Sequence, residues 1–342
     1  MHHGKRITVT NTRLALALSD NRPEGDFLVI GARGGDDLSP VDPVRTRIQQ
    51  GHFPDHRALA ARGFHVAPLV DGRFDAALVI LPRAKAEARA RIADAASRLS
   101  PGAALWIDGQ KTDGVDSVLR ELRSLAPVDE VHSKAHGKIF RLTMPEGRWL
   151  PEDWAARAQE VVPGFVTRPG VFSADGVDLG SAMLAASLPD RMPTRVVDLG
   201  AGWGWLSAQA LARPGIEVIH LVEADHAALE SARDNISDAR AQFHWADARD
   251  FTLSEPVNGV IMNPPFHDGR VADPRIGAEF IAAAARLLTG AGRLWMVANR
   301  HLPYETVLAQ HFAQVHEISG NTRFKVIEAS GAGRGVVRKG RR

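Results

Sequence analysis

Asn263-Pro264-Pro265-Phe266 closes an apolar run, NGVIM, with two consecutive prolines. Proline has no N–H for a strand ladder, so the strand must stop there and the loop behind it is stiff. Backbone donors are scarce in such a corner, which leaves the Asn263 side-chain oxygen and nearby carbonyls as acceptors. An exocyclic amine on a planar ring brings two N–H donors. Two fixed acceptors would hold it with the nitrogen lone pair aimed one way, and Phe266 would stack on the ring. The chemistry this suits is displacement at an electrophile beside the amine. Positioning is then the main requirement, because the nitrogen becomes acidic only as the new bond forms. His267, next in the chain, could touch the same substrate or merely cap Asp268.

A second cluster could hold the electrophile. The segment VVDLGAGWGWLS runs from an apolar strand into Gly200, Gly202 and Gly204 and then a helix start. Glycines there allow a tight turn and close backbone approach to a ligand. The spacing is not the G-x-G-x-x-G of dinucleotide folds, which makes a dehydrogenase a poor reading. Asp198, two residues before the first glycine, would repel a pyrophosphate and favour a cation. S-adenosylmethionine, with an ammonium and a sulfonium, suits such a site. Glu223, directly after the apolar run IEVIHLV, is placed to accept from ribose hydroxyls, while Asp225 suits a helix N-cap. Asp247, beyond a short strand, could accept from an adenine amino group.

These groups need a scaffold that brings strand ends together, and the sequence spells one out twice. DFLVIGARGGDD is matched by RVVDLGAGWGWL, DAALVILPRAK by NGVIMNPPFHD, and SPGAALWIDG by TGAGRLWMVAN. Each set is joined by an amphipathic helix: Ala88, Ile92, Ala95, Ala96 and Leu99 share one face of the first; Ile276, Phe280, Ile281, Ala284, Leu287 and Leu288 share one face of the second. Alternating strands and helices imply an α/β fold with a parallel sheet covered on both sides. We therefore expect two tandem Rossmann-like domains, residues 1–150 and 151–342, joined by a linker and a short helix in MPEGRWLPEDWAARAQE. The first domain has Gly31, Gly34 and Gly35, and Leu81-Pro82-Arg83 where the second has asparagine and two prolines. It is expected to be catalytically silent.

Composition removes other classes. With 342 residues and 44% hydrophobic content the chain can build two cores. It has no cysteine, so disulfides, thiolate metal sites and cysteine nucleophiles are excluded, cytosine C5 methylation with them. No HExxH pattern is present and no metal is expected. No apolar run long enough to span a bilayer and no signal peptide is read, so a cytoplasmic monomer is expected. The net charge is only +2, though the basic end GRGVVRKGRR could contact phosphates.

The second half closely resembles the bacterial ribosomal RNA guanine-N2 methyltransferases of the RsmC type. PGVFSADGVDLGS, VVDLGAGWG, NPPFHDG, VANRHLPY and TRFKV carry the resemblance, and the silent first domain is also as that family has it. It implies a class I methyltransferase fold in each half, with S-adenosylmethionine bound only in the second. The acceptor it implies is guanine N2 in ribosomal RNA, with small-subunit RNA favoured and RNA or a ribosomal subunit as partner. By matching positions, Asp198, Gly200 and Gly202 would hold the methionine end of the cofactor, Glu223 the ribose and Asp247 the adenine. Asn263 to Phe266 would grip the guanine, and Gly170 and Phe172 would line the entrance. This chain departs from the pattern with Glu at 223 and with the bulky Trp203 and Trp205 in the glycine turn. A paired base cannot offer its N2 edge to a deep pocket, so the target must be unstacked or single-stranded. Arg323 and Lys325, flanking Phe324, are candidates for phosphate contact. The rivals are methylation of a protein glutamine amide or of adenine N6, and a non-enzymatic RNA-binding assembly factor.

Overall fold

The computed structural model describes residues 10–19, 22–265, 267–268, 271–272 and 274–333. The chain forms two units, Met1–Ala158 with Arg168–Gly170, and Gln159–Thr167 with Val171–Arg342.

The first unit runs α1 (Thr10–Ala17), β1 (Phe27–Ile30), β2 (Thr46–Gln49), α2 (Phe53–Ala61), β3 (His65–Ala67), β4 (Phe74–Ile80), α3 (Lys85–Ser97), β5 (Leu99–Gln110), α4 (Val115–Arg123), β6 (Val128–Lys134) and β7 (Gly137–Thr143). The second opens with a hairpin, β8 (Gln159–Val162) and β9 (Phe165–Thr167). It continues α5 (Leu179–Ser187), β10 (Arg195–Leu199), α6 (Trp205–Leu211), β11 (Val218–Glu223), α7 (His226–Asn235), β12 (Ala241–Trp245) and β13 (Val257–Met262). After a two-residue pair, β14 (His267–Asp268) and β15 (Val271–Ala272), come α8 (Pro274–Leu287), β16 (Leu288–Asn299), α9 (Glu305–His311), β17 (Phe312–Gly320) and β18 (Phe324–Ala332).

The strand orders are the same in both units. The first sheet is β3-β2-β1-β4-β5-β7-β6 and the second β12-β11-β10-β13-β16-β18-β17. In each, five parallel strands are followed by an antiparallel pair; β7 runs against β5, and β18 against β16. This is the doubled Rossmann-like architecture expected from the repeated segments, with the antiparallel hairpin added at one edge.

Strand alternation sorts the core of the second unit into two faces. Val196 and Ile261 face α5 and α6, together with Ile219, Leu221, Trp295 and Val297. Val197, Leu199, Val260 and Met262 face α8 and α9. Burial on both faces explains the near-continuous apolar runs of these strands.

Two local expectations are corrected. Leu99 and Leu288 are buried but begin strands β5 and β16, so neither helix face extends that far. The segment after residue 150 holds only a single 3-10 turn, Glu152–Trp154, and not a short helix after a linker. Trp154 is buried in the core of the first unit, with the Arg89 guanidinium 5.3 Å from its ring. That one large side chain fixes the segment as part of the first unit.

Candidate functional site

An open cleft lies at the carboxyl ends of β10 and β13, where ligands bind in open α/β sheets. The glycine turn forms its floor. Gly200, Gly202 and Gly204 all have positive φ, of 76°, 56° and 83°. Gly204 is constrained by packing as well, since a Cβ there would lie 2.9 Å from Ile236 and 3.0 Å from Ala232.

Asp198 lies in the same alternation as Val196, and so points to the α5–α6 face beneath the turn. It is 1% exposed. Its Oδ2 accepts from the Ser207 hydroxyl at 2.7 Å, while its Oδ1 is buried and has no partner among the described residues. Burial pushes this carboxyl up to about 7; the nearby Glu223 adds to the rise and the Ser207 hydrogen bond opposes it. A buried acceptor left unmet against a cleft is costly unless a ligand meets it.

Glu223, at the end of β11, binds the glycine turn itself. Its Oε2 accepts from Gly202 N at 2.7 Å and its Oε1 from Asp225 N at 2.8 Å. Burial raises its pKa, and the charge of Asp225 adds to that. Asp225 caps α7 by accepting from Ala227 N and Ala228 N.

Asn263 follows β13, two residues past Ile261, which pairs with Asp198. The strand period therefore turns it toward the α5–α6 face too. Its Nδ2 donates to Asp178 Oδ2 at 2.8 Å and to Ser181 Oγ at 2.9 Å. Both donors being used, the amide orientation is set, and among the described residues nothing donates to its Oδ1. Asp178 is also the N-cap of α5, accepting from Ser181 N at 2.8 Å. Pro264 is buried behind Asn263 and Pro265 is exposed.

Of the residues singled out from sequence, Phe172, Asp198, Gly200, Gly202 and Asn263 line the cleft. Phe172 stands at its mouth, 62% exposed. Glu223 is one hydrogen bond away from it. Gly170 does not line it: it groups with the first unit, where a Cβ would run into Glu87. Asp247 is buried outside the cleft, its two oxygens forked onto Arg249 Nε and Nη2 at 2.9 and 2.7 Å. That hydrogen bonding holds the Arg249 guanidinium above its usual range. Lys325 is corrected outright. It is 3% exposed, and its Nζ is spent on the Leu302 carbonyl at 2.8 Å and on Glu305. Arg323 is exposed, 5.8 Å from the Phe324 ring, and Phe324 packs on the core beneath α5. Phe266 lies outside the described residues, and of His267 only the backbone is described, paired with Ala272.

Sequence reasoning missed Asp178, Ser181 and Ser207. The signal for the first was present, since Asp before LGS is an N-cap pattern. Trp203 and Trp205, bulky for a glycine turn, both line the cleft. Trp203 packs edge-on to Phe165 at 5.8 Å in a small cluster with Val171 and Ala228. Among the described residues no group of three or more His, Asp or Glu could hold a metal ion, and no helix is long and apolar enough to cross a membrane.

Each half of the chain matches a family model. Residues 38–156 match the model of the methyltransferase small domain N-terminal family, and residues 163–328 that of the methyltransferase small domain. Proteins named ribosomal RNA small subunit methyltransferase C are similar over most of the chain. That of Hahella chejuensis is 31% identical, covering 76% of this chain and 78% of its own. One from Shewanella baltica is 30% identical, covering 92% of this chain and 90% of its own. Among solved structures, the T. thermophilus 16S rRNA N2 methyltransferase RsmC, in complex with AdoMet and guanosine, superposes with a TM-score of 0.78. It is 23% identical, with 96% of this chain and 93% of that chain covered.

Proposed function

Because this chain belongs to the ribosomal RNA small subunit methyltransferase C family, we propose that it transfers a methyl group from S-adenosylmethionine to the exocyclic N2 of a guanine in small-subunit ribosomal RNA. The observation that carries the reading is the Asn263 amide, locked by Asp178 and Ser181 so that its oxygen is the free end. An amine donor fits that oxygen; a keto oxygen would meet acceptor against acceptor.

The cleft also fits the cofactor. The unpaired Asp198 Oδ1 is a buried acceptor waiting for a cation, which the cofactor's ammonium would supply. Gly200 and Gly202 leave room for the methionine end beside it. Glu223, held by two backbone N–H groups, keeps further lone pairs for ribose hydroxyls. The cofactor's contribution is an electrophilic methyl on a sulfonium. Everything else falls to the chain: Asp198 binds the cation, the glycine turn sets its depth, and Asn263 orients the attacking amine. Pro264 and Pro265 keep that corner stiff, and Phe172 at the mouth offers an aromatic face to the base.

Arg323, exposed just ahead of β18, is the phosphate contact we retain. Ribosomal RNA as substrate puts this work in the cytoplasm.

Labelled methyl transfer to small-subunit RNA from cells lacking the gene tests the proposal, with N2-methylguanosine expected in the digest. Label appearing instead in a glutamine side chain or as N6-methyladenosine would overturn it. Asn263→Ala is expected to lower turnover about a hundredfold while cofactor affinity stays within a few-fold.

A further inference from the structure

Asp178 has one oxygen to spare. Its Oδ2 accepts from Ser181 N and from Asn263 Nδ2, both at 2.8 Å. No described residue donates to its Oδ1, and the residue lines the cleft next to Asn263. The free oxygens of the two side chains are therefore neighbouring acceptors on adjacent, hydrogen-bonded groups. Guanine presents two neighbouring donors on its pairing edge, N1–H and the 2-amino group. Adenine presents a bare N1 acceptor in the same place.

We propose that Asp178 determines the base: its Oδ1 accepts from the ring N1–H while Asn263 holds the 2-amino group. The inference rests on the guanine-N2 reading above and deepens it. A carboxylate accepting from N1–H makes a charge-assisted hydrogen bond, stronger than an amide could make. A purine without that proton brings a lone pair against the carboxylate and leaves both groups desolvated and unmatched. Asp178 thus does three things from one position. It caps α5, it turns the Asn263 oxygen outward, and it checks that the ring carries hydrogen at N1.

The roles can be separated with 2-aminopurine, which keeps the 2-amino group and lacks the N1 proton. Asp178→Asn preserves the first two roles, because the amide oxygen can take the place of Oδ2 and still accept from Ser181 N and Asn263 Nδ2. The reverse rotamer would set donor against donor. The new NH2 group then replaces the free oxygen, so an acceptor becomes a donor. The substrates are two versions of a short RNA hairpin around the guanine that mapping identifies, one with guanine and one with 2-aminopurine there. Methyl transfer is followed under single-turnover conditions. The wild-type protein is expected to favour guanine by at least about tenfold. In Asp178→Asn the guanine rate drops by at least about tenfold and the preference vanishes or reverses, with cofactor affinity held within about twofold. Ser181→Ala, which keeps the backbone cap and loses one support of Asn263, slows both substrates alike. A wild-type enzyme that methylates 2-aminopurine as fast as guanine overturns the inference. So does an Asp178→Asn enzyme that keeps the original preference, which would leave Asp178 as a helix cap alone. A wild-type enzyme that makes no N2-methylguanosine in any RNA instead sinks the functional reading itself.

Discussion

Asp198 is an acid kept partly protonated by its surroundings, and that gives cofactor binding a pH dependence. Burial pushes its carboxyl up to about 7, well above the usual carboxylate range. The ligand-free folded state therefore holds this proton more tightly than the unfolded chain. The resulting stabilisation is full below about pH 4 and is lost as pH rises through about 7. A cationic ligand needs the ionised form, so affinity for S-adenosylmethionine should rise about fivefold from about pH 6 to about pH 7, with release of a proton. Calorimetry in buffers of different ionisation enthalpy measures both; in Asp198→Asn the pH dependence should disappear along with most of the affinity. Asp198 and Asn263 were legible in sequence because each sits at the tip of a recognisable strand. Asp178 was not legible as the partner of Asn263, 85 residues away, because only the fold brings a helix cap to a strand end. Lys325 was misread for a similar reason. Its residue type suggested phosphate, while its burial depends on Leu302 and Glu305, 23 and 20 residues distant.

Between residues and domain stands the glycine turn, which joins two strand ends and a helix start. Asp198 precedes it, Glu223 holds it from β11 through Gly202, and Gly204 starts α6 against α7. A methyl at position 204 would meet both a strained φ of 83° and two α7-side neighbours. Gly204→Ala is therefore expected to destabilise the second unit by about 2 to 3 kcal/mol, read from denaturant unfolding with an unchanged slope. The order of strands and helices was legible from the two matching series of segments. The antiparallel turn at each sheet edge was not, because an apolar run does not carry its own direction. The 3-10 turn at Glu152–Trp154 was also hidden, since the burial of Trp154 depends on neighbours in α3.

Across the whole molecule the same topology occurs twice, and among the described residues the first unit has side chains at strand ends where the second has its cleft. At the end of β1, a Cβ on Gly31 would collide with the Arg91 guanidinium, which also donates to the Ile80 carbonyl at 3.0 Å. At the end of β5, Asp108 is buried and forked onto Arg13, with Nε at 2.6 Å and Nη2 at 3.1 Å. Arginine side chains from α3 and α1 thus lie at the ends of β1 and β5. Titration of the full chain is expected to give one S-adenosylmethionine per molecule; two sites would contradict this reading of the first unit. Breaking the buried pair with Arg13→Ala strands a charge, and should cost the first unit about 3 to 5 kcal/mol while leaving cofactor affinity in the second intact.

The β8–β9 hairpin carries a practical lesson for anyone cutting this protein into pieces. Asn235 on α7 donates to the carbonyls of Val166 and Trp203 and accepts from Val166 N, stitching the hairpin to the floor of the cleft. Phe165 covers the indole of Trp203 from the same hairpin. An expression fragment that starts at Pro169, where the sequence motifs begin, would strip Asn235 of both its bonds to Val166 and leave an indole open to water beside the cleft. A fragment that starts ahead of Gln159 keeps both covered, and is the one to grow, label and crystallise.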